Sequence, residues 1–348
     1  MTTSDLISAG SGLHPELGYD DNPDFNESLD EQQPIEIAGV IFPPSRVLFE
    51  MEREAYAAAL QEFRGQQREE LLDVVCNEFP TPIAWSFYRF LYGSENPMQR
   101  LHFLRDTWEG LINLLHALVV SEFRSRHIPL IGAKLKASDL LTEKVGVRLL
   151  NLERLLSLED ERARECMCRQ LIPLGLIQTM RELNRLRAGF SHSSALSEAE
   201  ALRIISQYQE EVVEVLQQLT WLRDFMLVRY MGQAGNALRV RYERFTGYAM
   251  TRTIKEMRLA EDKLPEVAKL LDDKQILAVT GGVFLSLRPF VHFTEAEHLS
   301  KLGFFRKREG GKGKPVIWLF QLTDETAPFA IEERDLPEVG ELDELCGA

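Results

Sequence analysis

The amino-acid sequence predicts an α+β protein, mostly a helical bundle followed by a small antiparallel β unit, with disordered acidic segments at both ends. Three observations favour this fold class. Apolar residues recur at helical spacing from about residue 45 to residue 230. Short β-branched and aromatic stretches, separated by paired glycines, then continue to about residue 322. Residues 1–36 and 324–348 are acidic and lack apolar periodicity, which is typical of disordered segments.

Length and composition suit about two domains of ordinary size. With 348 residues, 45% of them hydrophobic and 27% charged, the chain can bury a normal core, which excludes a collagenous, wholly disordered or disulfide-framework protein. The predicted segments are an acidic tail (1–36), a helical segment (37–83), a helical bundle (84–232), a mixed α/β domain with a basic hairpin (233–323) and a second acidic tail (324–348).

The negative charge is confined to the two ends of the chain. Residues 1–36 hold nine acidic and no basic side chains, and residues 324–348 hold nine acidic side chains and Arg334. The net charge of −14 therefore leaves +3 for residues 37–323, so the overall acidity does not exclude a nucleic-acid partner. The ends either keep the protein soluble or compete with polyanions for a basic surface.

The first helices are predicted from apolar spacing. Residues 45–79 form one long or broken amphipathic helix that Pro80 and Pro82 end. Residues 97–126 give the clearest helix, in which Arg105, Asp106 and Glu109 fall off the apolar stripe. Residues 140–158 predict a leucine-dense helix with Ser138 and Asp139 as N-cap candidates.

The last two bundle helices are separated by a short loop. Pro173 suits the first turn of a helix that is predicted to end near Ala188, with Gly189 as its left-handed C-cap. Ser197 begins a capping box, and the helix that follows is predicted to run to about Tyr230.

The remaining elements are predicted strands. Turn signals lie at Gly281-Gly282 and at residues 310–313, which favours an antiparallel arrangement of the neighbouring stretches. The stretches are residues 276–279, 283–293, 302–307 and 315–322.

Several classes of function lack their usual marks. No phosphate-binding glycine loop, dinucleotide fingerprint, zinc-protease motif or nucleophile elbow occurs, and histidines and carboxylates do not cluster at metal-ligand spacing. We therefore expect no metal and no cofactor. The four cysteines lack zinc spacing and are interpreted as reduced thiols. The longest apolar run is half of what a bilayer crossing needs and no leader opens the chain, so we expect a cytoplasmic protein without membrane contact.

The residues best suited to chemistry lie where the last two bundle helices meet. Arg187 ends one helix, His192 lies in the following turn, and Asn184 is one turn back from Arg187 on the same face. A histidine that titrates near neutrality can take the proton of an RNA 2′-hydroxyl or protonate the leaving oxygen. A guanidinium can stabilise the phosphate in the transition state. This pattern favours metal-independent cleavage of RNA.

These residues resemble the HEPN superfamily, whose helical bundles carry R-x(4 to 6)-H between the third and fourth core helices. Arg187 with His192 matches the x4 form and Arg185 with His192 the x6 form, and the likeness covers roughly residues 84–230. The resemblance implies an endoribonuclease effector of a toxin or antiphage-defence system. It also implies a site shared between two protomers, hence a homodimer or a HEPN-like partner.

A second hypothesis has the same bundle serving as a catalytically inactive dimerisation or sensing module in a multi-protein defence complex. Active members of the family usually carry a polar residue directly after the arginine, whereas Ala188 stands there. Under this hypothesis Arg187 and His192 are a helix-capping residue and a loop residue without chemistry.

A basic hairpin is a second candidate contact for RNA. Residues 303–314 carry five basic groups and one acid, which attract phosphates, and Phe304 or Phe305 could stack on an unpaired base or pack under the sheet. The hairpin alone would support a third class, a DNA-binding protein. His102 and His116 could line a cleft or be satisfied core or surface residues. The predicted nucleic-acid-binding residues are Arg185, Arg306, Lys307, Arg308, Lys312 and Lys314.

Overall fold

The computed structural model divides the chain into two compact units, residues 1–73 and residues 74–348. The helix α3 (Arg53–Glu78) begins in the first unit and ends in the second. The residues that the structure describes are 18–37, 39–191, 197–249, 251–263, 267–272, 274–296, 299–311, 314–322 and 327–347.

The first unit is a small helical cluster around aromatic side chains. Phe25, Tyr56 and Leu60 form its buried centre, and the Tyr56 hydroxyl donates a hydrogen bond to Asn26 Oδ1 at 2.7 Å. One non-helical residue, Glu52, separates the two helices found over residues 45–79, which confirms the broken form of that prediction. The elements are α1 (Pro23–Asp30), the antiparallel strands β1 (Ile35–Ile37) and β2 (Val40–Phe42), α2 (Pro44–Met51) and the first part of α3.

The prediction of a disordered tail over residues 1–36 is wrong for residues 18–36. The helix α1 orders this stretch because Phe25, only 4% exposed, packs edge-on against Tyr56 with ring centroids 5.1 Å apart. One large buried aromatic side chain thus orders a segment that its acidic composition predicts to be disordered. Residues 1–17 lie outside the described residues.

The second unit opens with a helical bundle around one central helix. This helix, α5 (Pro97–Ser125), contacts α4, α7, α9 and α11, and its middle is buried on every side. A helix enclosed in this way forms the core of its domain. The helices of the bundle are α4 (Thr81–Tyr92), α5, α6 (Ala137–Leu140), α7 (Val145–Leu156), α8 (Glu161–Arg164), α9 (Met167–Leu171), α10 (Leu174–Ser191) and α11 (Glu198–Gln218).

Three predicted helix boundaries are wrong. The helix α10 continues through Gly189 to Ser191, because a glycine permits a left-handed cap without requiring one. The helix α11 ends at Gln218 instead of near Tyr230, since Leu227 and Val228 are paired with neighbouring strands and buried in a sheet. The stretch 140–158 is split, and Asp139 accepts from the Lys136 amide at the start of the short α6.

The helical region is followed by antiparallel sheets, as predicted. One sheet has five strands in the order β5-β4-β3-β6-β7 and the other has four in the order β11-β10-β9-β8. The strands are β3 (Met226–Ala234), β4 (Asn236–Phe245), β5 (Thr253–Arg258), β6 (Ile276–Thr280), β7 (Val283–Ser286), β8 (Val291–Ala296), β9 (Leu299–Gly311), β10 (Lys314–Leu322) and β11 (Phe329–Glu332).

The prediction of a disordered tail over residues 324–348 is wrong for residues 327–347. The strand β11 extends the second sheet, and a helix, α12 (Glu338–Leu345), packs against α5 and α6. Leu336 and Leu342 are 1% and 0% exposed, so two leucines anchor a segment whose composition is otherwise acidic. Over the described ranges, no helix is both long enough and apolar enough to cross a membrane.

Candidate functional site

Arg187 forms an ion pair with Glu109 of the central helix. The Arg187 side chain, near the end of α10, is 18% exposed, and its Nη2 donates to Glu109 Oε1. Glu109 is 31% exposed, so the pair lies at the surface of the bundle, where water still reaches both groups. The prediction that Arg187 ends its helix is wrong, since α10 continues to Ser191. The guanidinium charge, however, already has a carboxylate partner.

Asn184 and Tyr208 are polar residues of the two helices next to the junction, and Tyr208 lies close enough to the ion pair to feel its charges. Asn184 packs beside α7, where its Nδ2 is 3.4 Å from the position that a Cβ on Gly146 would take. Its buried Oδ1 has no hydrogen-bond partner among the residues that the structure describes. Tyr208 of α11 is buried, which raises the pKa of its hydroxyl, while the nearby Arg187 charge opposes that rise.

His192, the second half of the predicted catalytic motif, lies outside the described residues, together with 193–196. That His192 and Arg187 form one site therefore stays a prediction. The start of the next helix confirms the predicted cap, since the Ser197 side chain accepts a hydrogen bond from the Glu200 amide at 3.2 Å.

A polar cleft of about 730 Å³ adjoins this ion pair. It lies between the bundle helices α4, α5 and α7 and the strands β9 and β10 of the second sheet, and Glu109 belongs to its wall. Volumes of this size are typical of small-molecule sites. The charged and amide side chains along the cleft are Arg89, Gln99, His102, Arg105, Asp106, Glu109, Asn113, Glu143, Arg148, Arg306 and Gln321.

One face of the central helix supplies a row of ionisable groups to the cleft. His102, Arg105, Asp106 and Glu109 occupy positions i, i+3, i+4 and i+7, which share a face of a helix. Arg105 bridges the two acids, with Nη2 2.9 Å from Asp106 Oδ1 and Nε 3.7 Å from Glu109 Oε1. Partial burial raises the pKa of Asp106, although Arg105 opposes the rise.

Arg148 places a buried cation behind the cleft. Its side chain donates from Nε to Thr142 O at 2.8 Å, from Nη2 to Phe305 O at 2.7 Å, and from Nη1 to Asn113 Oδ1. All three acceptors are neutral, and no carboxylate of the described residues pairs with this guanidinium. Burial lowers the pKa of Arg148 to about 10. The charged form is therefore costly here, and an anion in the cleft would stabilise it.

Two more arginines reach the cleft without an acid partner in the described part of the chain. The Arg89 guanidinium lies over the Phe103 ring, 4.0 Å from its centroid, and Arg306 donates to Gln321 Oε1 at 3.0 Å. Arg306 is the extra residue of a β-bulge, since its neighbours Phe305 and Lys307 pair with the adjacent residues Phe320 and Leu319. Bulges of this kind redirect side chains beside functional sites.

The basic hairpin is confirmed as β9 and β10, but much of its charge is compensated. Lys307 Nζ is 2.5 Å from Glu309, and Arg308 pairs with both carboxylate oxygens of Glu333, a residue of the segment predicted as an acidic tail. Phe304 and Phe305 are 7% and 2% exposed, so both are buried, on opposite faces of the strand, and neither is exposed to stack on a base. Of the other predicted contacts, Arg185 and Lys314 are exposed and Lys312 lies outside the described residues.

Sequence reasoning missed most of the cleft. It noted Arg105, Asp106 and Glu109 only as residues off the apolar stripe of their helix, although their spacing with His102 already indicated one polar face. Arg89 and Arg148 carried no local signal, because only the tertiary fold brings them together. His116, the other histidine of the helix, is a core residue, 1% exposed and edge-on to Phe290.

The arginines of the cleft can attract an anion, and its carboxylates and His102 can take up or release a proton. Among the described residues, no three His, Cys, Asp or Glu side chains are grouped so as to hold a metal ion. Searches with protein-family models, curated protein sequences and solved structures found no match to the chain.

Proposed function

We propose that the protein cleaves RNA without a metal ion, using Arg187 and His192 at the junction of α10 and α11. The observation that carries the proposal is the position of Arg187. Its partly exposed guanidinium is oriented by Glu109 at the edge of a cleft that holds arginines without acid partners. An arginine fixed beside such a cleft suits the binding of a phosphodiester.

The proposed reaction is an internal transesterification. His192 accepts the proton of an RNA 2′-hydroxyl, and the 2′-oxygen attacks the adjacent phosphorus. The bond from phosphorus to the 5′-oxygen breaks, and that oxygen takes up a proton, so the products carry a 2′,3′-cyclic phosphate and a 5′-hydroxyl. Arg187 stabilises the negative charge on the phosphoryl oxygens, and the Asn184 amide, one turn away, donates a hydrogen bond to the phosphate.

The RNA strand approaches along exposed basic side chains. Arg306 and Arg185 are exposed and have no ion-pair partner in the described ranges, so they are the best placed of the predicted contacts. The resemblance to HEPN nucleases favours a composite site in which a second copy of the chain supplies a second Arg187 and His192.

The test is incubation of purified protein with total RNA in excess EDTA, with the product ends analysed. We expect fragments that end in 2′,3′-cyclic phosphate from the parent protein, and none from Arg187→Ala or His192→Ala. The control is Arg203→Ala, which removes an exposed arginine from α11 and should cleave like the parent. Cleavage that persists in the Arg187 and His192 variants would contradict the proposal.

A second candidate is a catalytically inactive HEPN-like module for dimerisation or sensing. The ion pair with Glu109 favours this candidate, because a guanidinium that is already paired with a carboxylate binds phosphate less strongly. Ala188 also favours it, because active family members usually carry a polar residue at that position. This candidate predicts no cleavage product from the parent protein. It also predicts a dimer in sedimentation experiments that is weakened by substitutions at the α10–α11 junction.

A further inference from the structure

We propose that the polar cleft between the central helix and the β9–β10 hairpin binds a nucleotide, a small ligand that carries both phosphate and ribose. The site goes beyond RNA cleavage at the α10–α11 junction and does not require it. Its volume of about 730 Å³ accommodates a ligand of this size. Helices and paired strands form its walls except at Glu143, which lies in the segment before α7, so regular structure sets most of its shape.

The charges along the cleft call for an anion. Four arginines and three carboxylates line it in the described part of the chain, and Arg105 serves two of those acids. Arg89, Arg148 and Arg306 have no carboxylate within ion-pair distance among the residues described. The buried Arg148 has lost most of its contact with water, and its three hydrogen-bond acceptors are neutral oxygens. Glu109 and Glu143 favour its charge only from beyond ion-pair distance. A phosphate group would supply the missing negative charge.

The phosphate contacts are assigned to Arg89 and Arg306. Arg306 comes from the β-bulge of β9 and is exposed, and Arg89 comes from α4 on the bundle side of the cleft. A guanidinium can donate two hydrogen bonds to one phosphate, so two arginines from opposite walls can hold it from both sides. Arg148 contributes its charge from behind them.

The rest of the cleft suits the ribose and base. Asp106, Glu109 and Glu143 present oxygens that accept hydrogen bonds from hydroxyl or amino groups, and Gln99 is a side-chain amide that can both donate and accept. Such a mixture of acids and amides beside three arginines does not suit a purely anionic ligand such as inorganic phosphate. It suits a molecule that is anionic at one end and rich in hydrogen-bond donors at the other.

The experiment is isothermal titration calorimetry of the full chain with AMP, GMP, CMP and UMP, and with the four matching nucleosides and inorganic phosphate as partial ligands. We expect at least one nucleotide to bind with a Kd below about 1 mM, and the matching nucleoside and inorganic phosphate to bind at least about tenfold more weakly. Arg306→Gln and Arg89→Gln should each weaken nucleotide binding by about tenfold or more.

The matched control is Arg334→Gln. Arg334 follows the strand β11 of the same sheet, is paired with Glu332 and does not line the cleft, so its loss should leave the affinity unchanged. Circular dichroism should show that each variant is folded. The proposal is overturned if no nucleotide binds, if inorganic phosphate binds as tightly as the nucleotides, or if Arg334→Gln weakens binding as much as Arg306→Gln. RNA cleavage is measured separately, so each proposal can fail alone.

Discussion

The Glu109 carboxylate accepts a hydrogen bond from the Arg187 guanidinium and, in the same position, forms part of the wall of the polar cleft. The two residues are 78 positions apart in the sequence. One acid therefore connects the proposed RNA-cleaving junction with the proposed nucleotide site. A change in the charge of Glu109 should therefore alter ligand binding at both sites.

The first prediction concerns Glu109→Gln. The amide keeps an oxygen that accepts from Arg187 but removes one negative charge from the cleft, so binding of single-stranded RNA should tighten several-fold at low salt and less at high salt. Because the ion pair is partly exposed, the free energy of unfolding should change by less than about 1 kcal/mol. Fluorescence anisotropy with labelled RNA and urea unfolding measure the two effects.

A control for this prediction is Glu153→Gln. Glu153 of α7 also pairs with an arginine of α10, Arg181, but does not line the cleft. The Glu153→Gln variant should bind RNA with an affinity close to that of the parent protein. Equal tightening by both variants would show a general effect of net charge and would count against a local role for Glu109.

The second prediction concerns Glu122, a buried carboxylate in the central helix. Its two oxygens accept hydrogen bonds from the amides of Met167 and Cys168, at 2.6 and 2.8 Å, at the start of α9. Glu122→Ala leaves both buried amides without an acceptor and should lower the free energy of unfolding by about 2–4 kcal/mol. Urea unfolding measures the loss. The control Glu165→Ala removes a carboxylate that is 74% exposed and should lower the free energy of unfolding far less. Similar decreases for the two variants would refute this account.

The third prediction concerns pH and two histidines. Burial lowers the pKa of His116 well below 6.5 and that of His292 to about 4, so each is neutral in the folded protein where the unfolded chain is protonated. The unfolded state then binds more protons, and stability falls as pH drops below about 6.5. Each histidine should lower the free energy of unfolding by about 1 kcal/mol for each pH unit below 6.5, until the pH reaches the pKa of that histidine in the folded protein.

Urea unfolding between pH 7 and pH 5 tests this prediction. The double variant His116→Leu, His292→Leu should lose most of the dependence that the parent shows in that window, whatever its absolute stability. An unchanged slope would mean that other groups, not these two rings, bind the protons on unfolding.

The fourth prediction compares two glycines of the β9–β10 hairpin. Gly310 and Gly311 both have positive φ angles, +100° and +96°. A Cβ on Gly310 would overlap Pro315 O, whereas a Cβ on Gly311 would meet no atom of the described residues within 4 Å. Both alanine variants are strained, but only Gly310→Ala must also move the backbone of β10, so its melting temperature should be the lower of the two. A larger loss for Gly311→Ala would contradict this difference.

Much of the fold follows from local pattern. The central helix, the Ser197 cap and the hairpin at Gly310 are each decided by residues within a few positions of one another, and these predictions are confirmed. Helical periodicity and capping act over one or two turns, so a single sequence contains them. The chemistry expected of Arg187 and His192 stays a prediction, since the loop that carries His192 is outside the described ranges.

The cleft and the ordered acidic ends were decided by the tertiary structure. Arg148 lies 157 positions from Phe305, the carbonyl of which it binds, and Arg308 lies 25 positions from Glu333. Whether a charged residue is buried, compensated or left facing a cavity depends on which distant segment packs against it, and composition does not contain that information. The sequence by itself determined the order and kind of the long bundle helices and of the strands from β6 to β10. The packing of those elements determined where the arginines of the cleft meet and which of them lack a carboxylate partner.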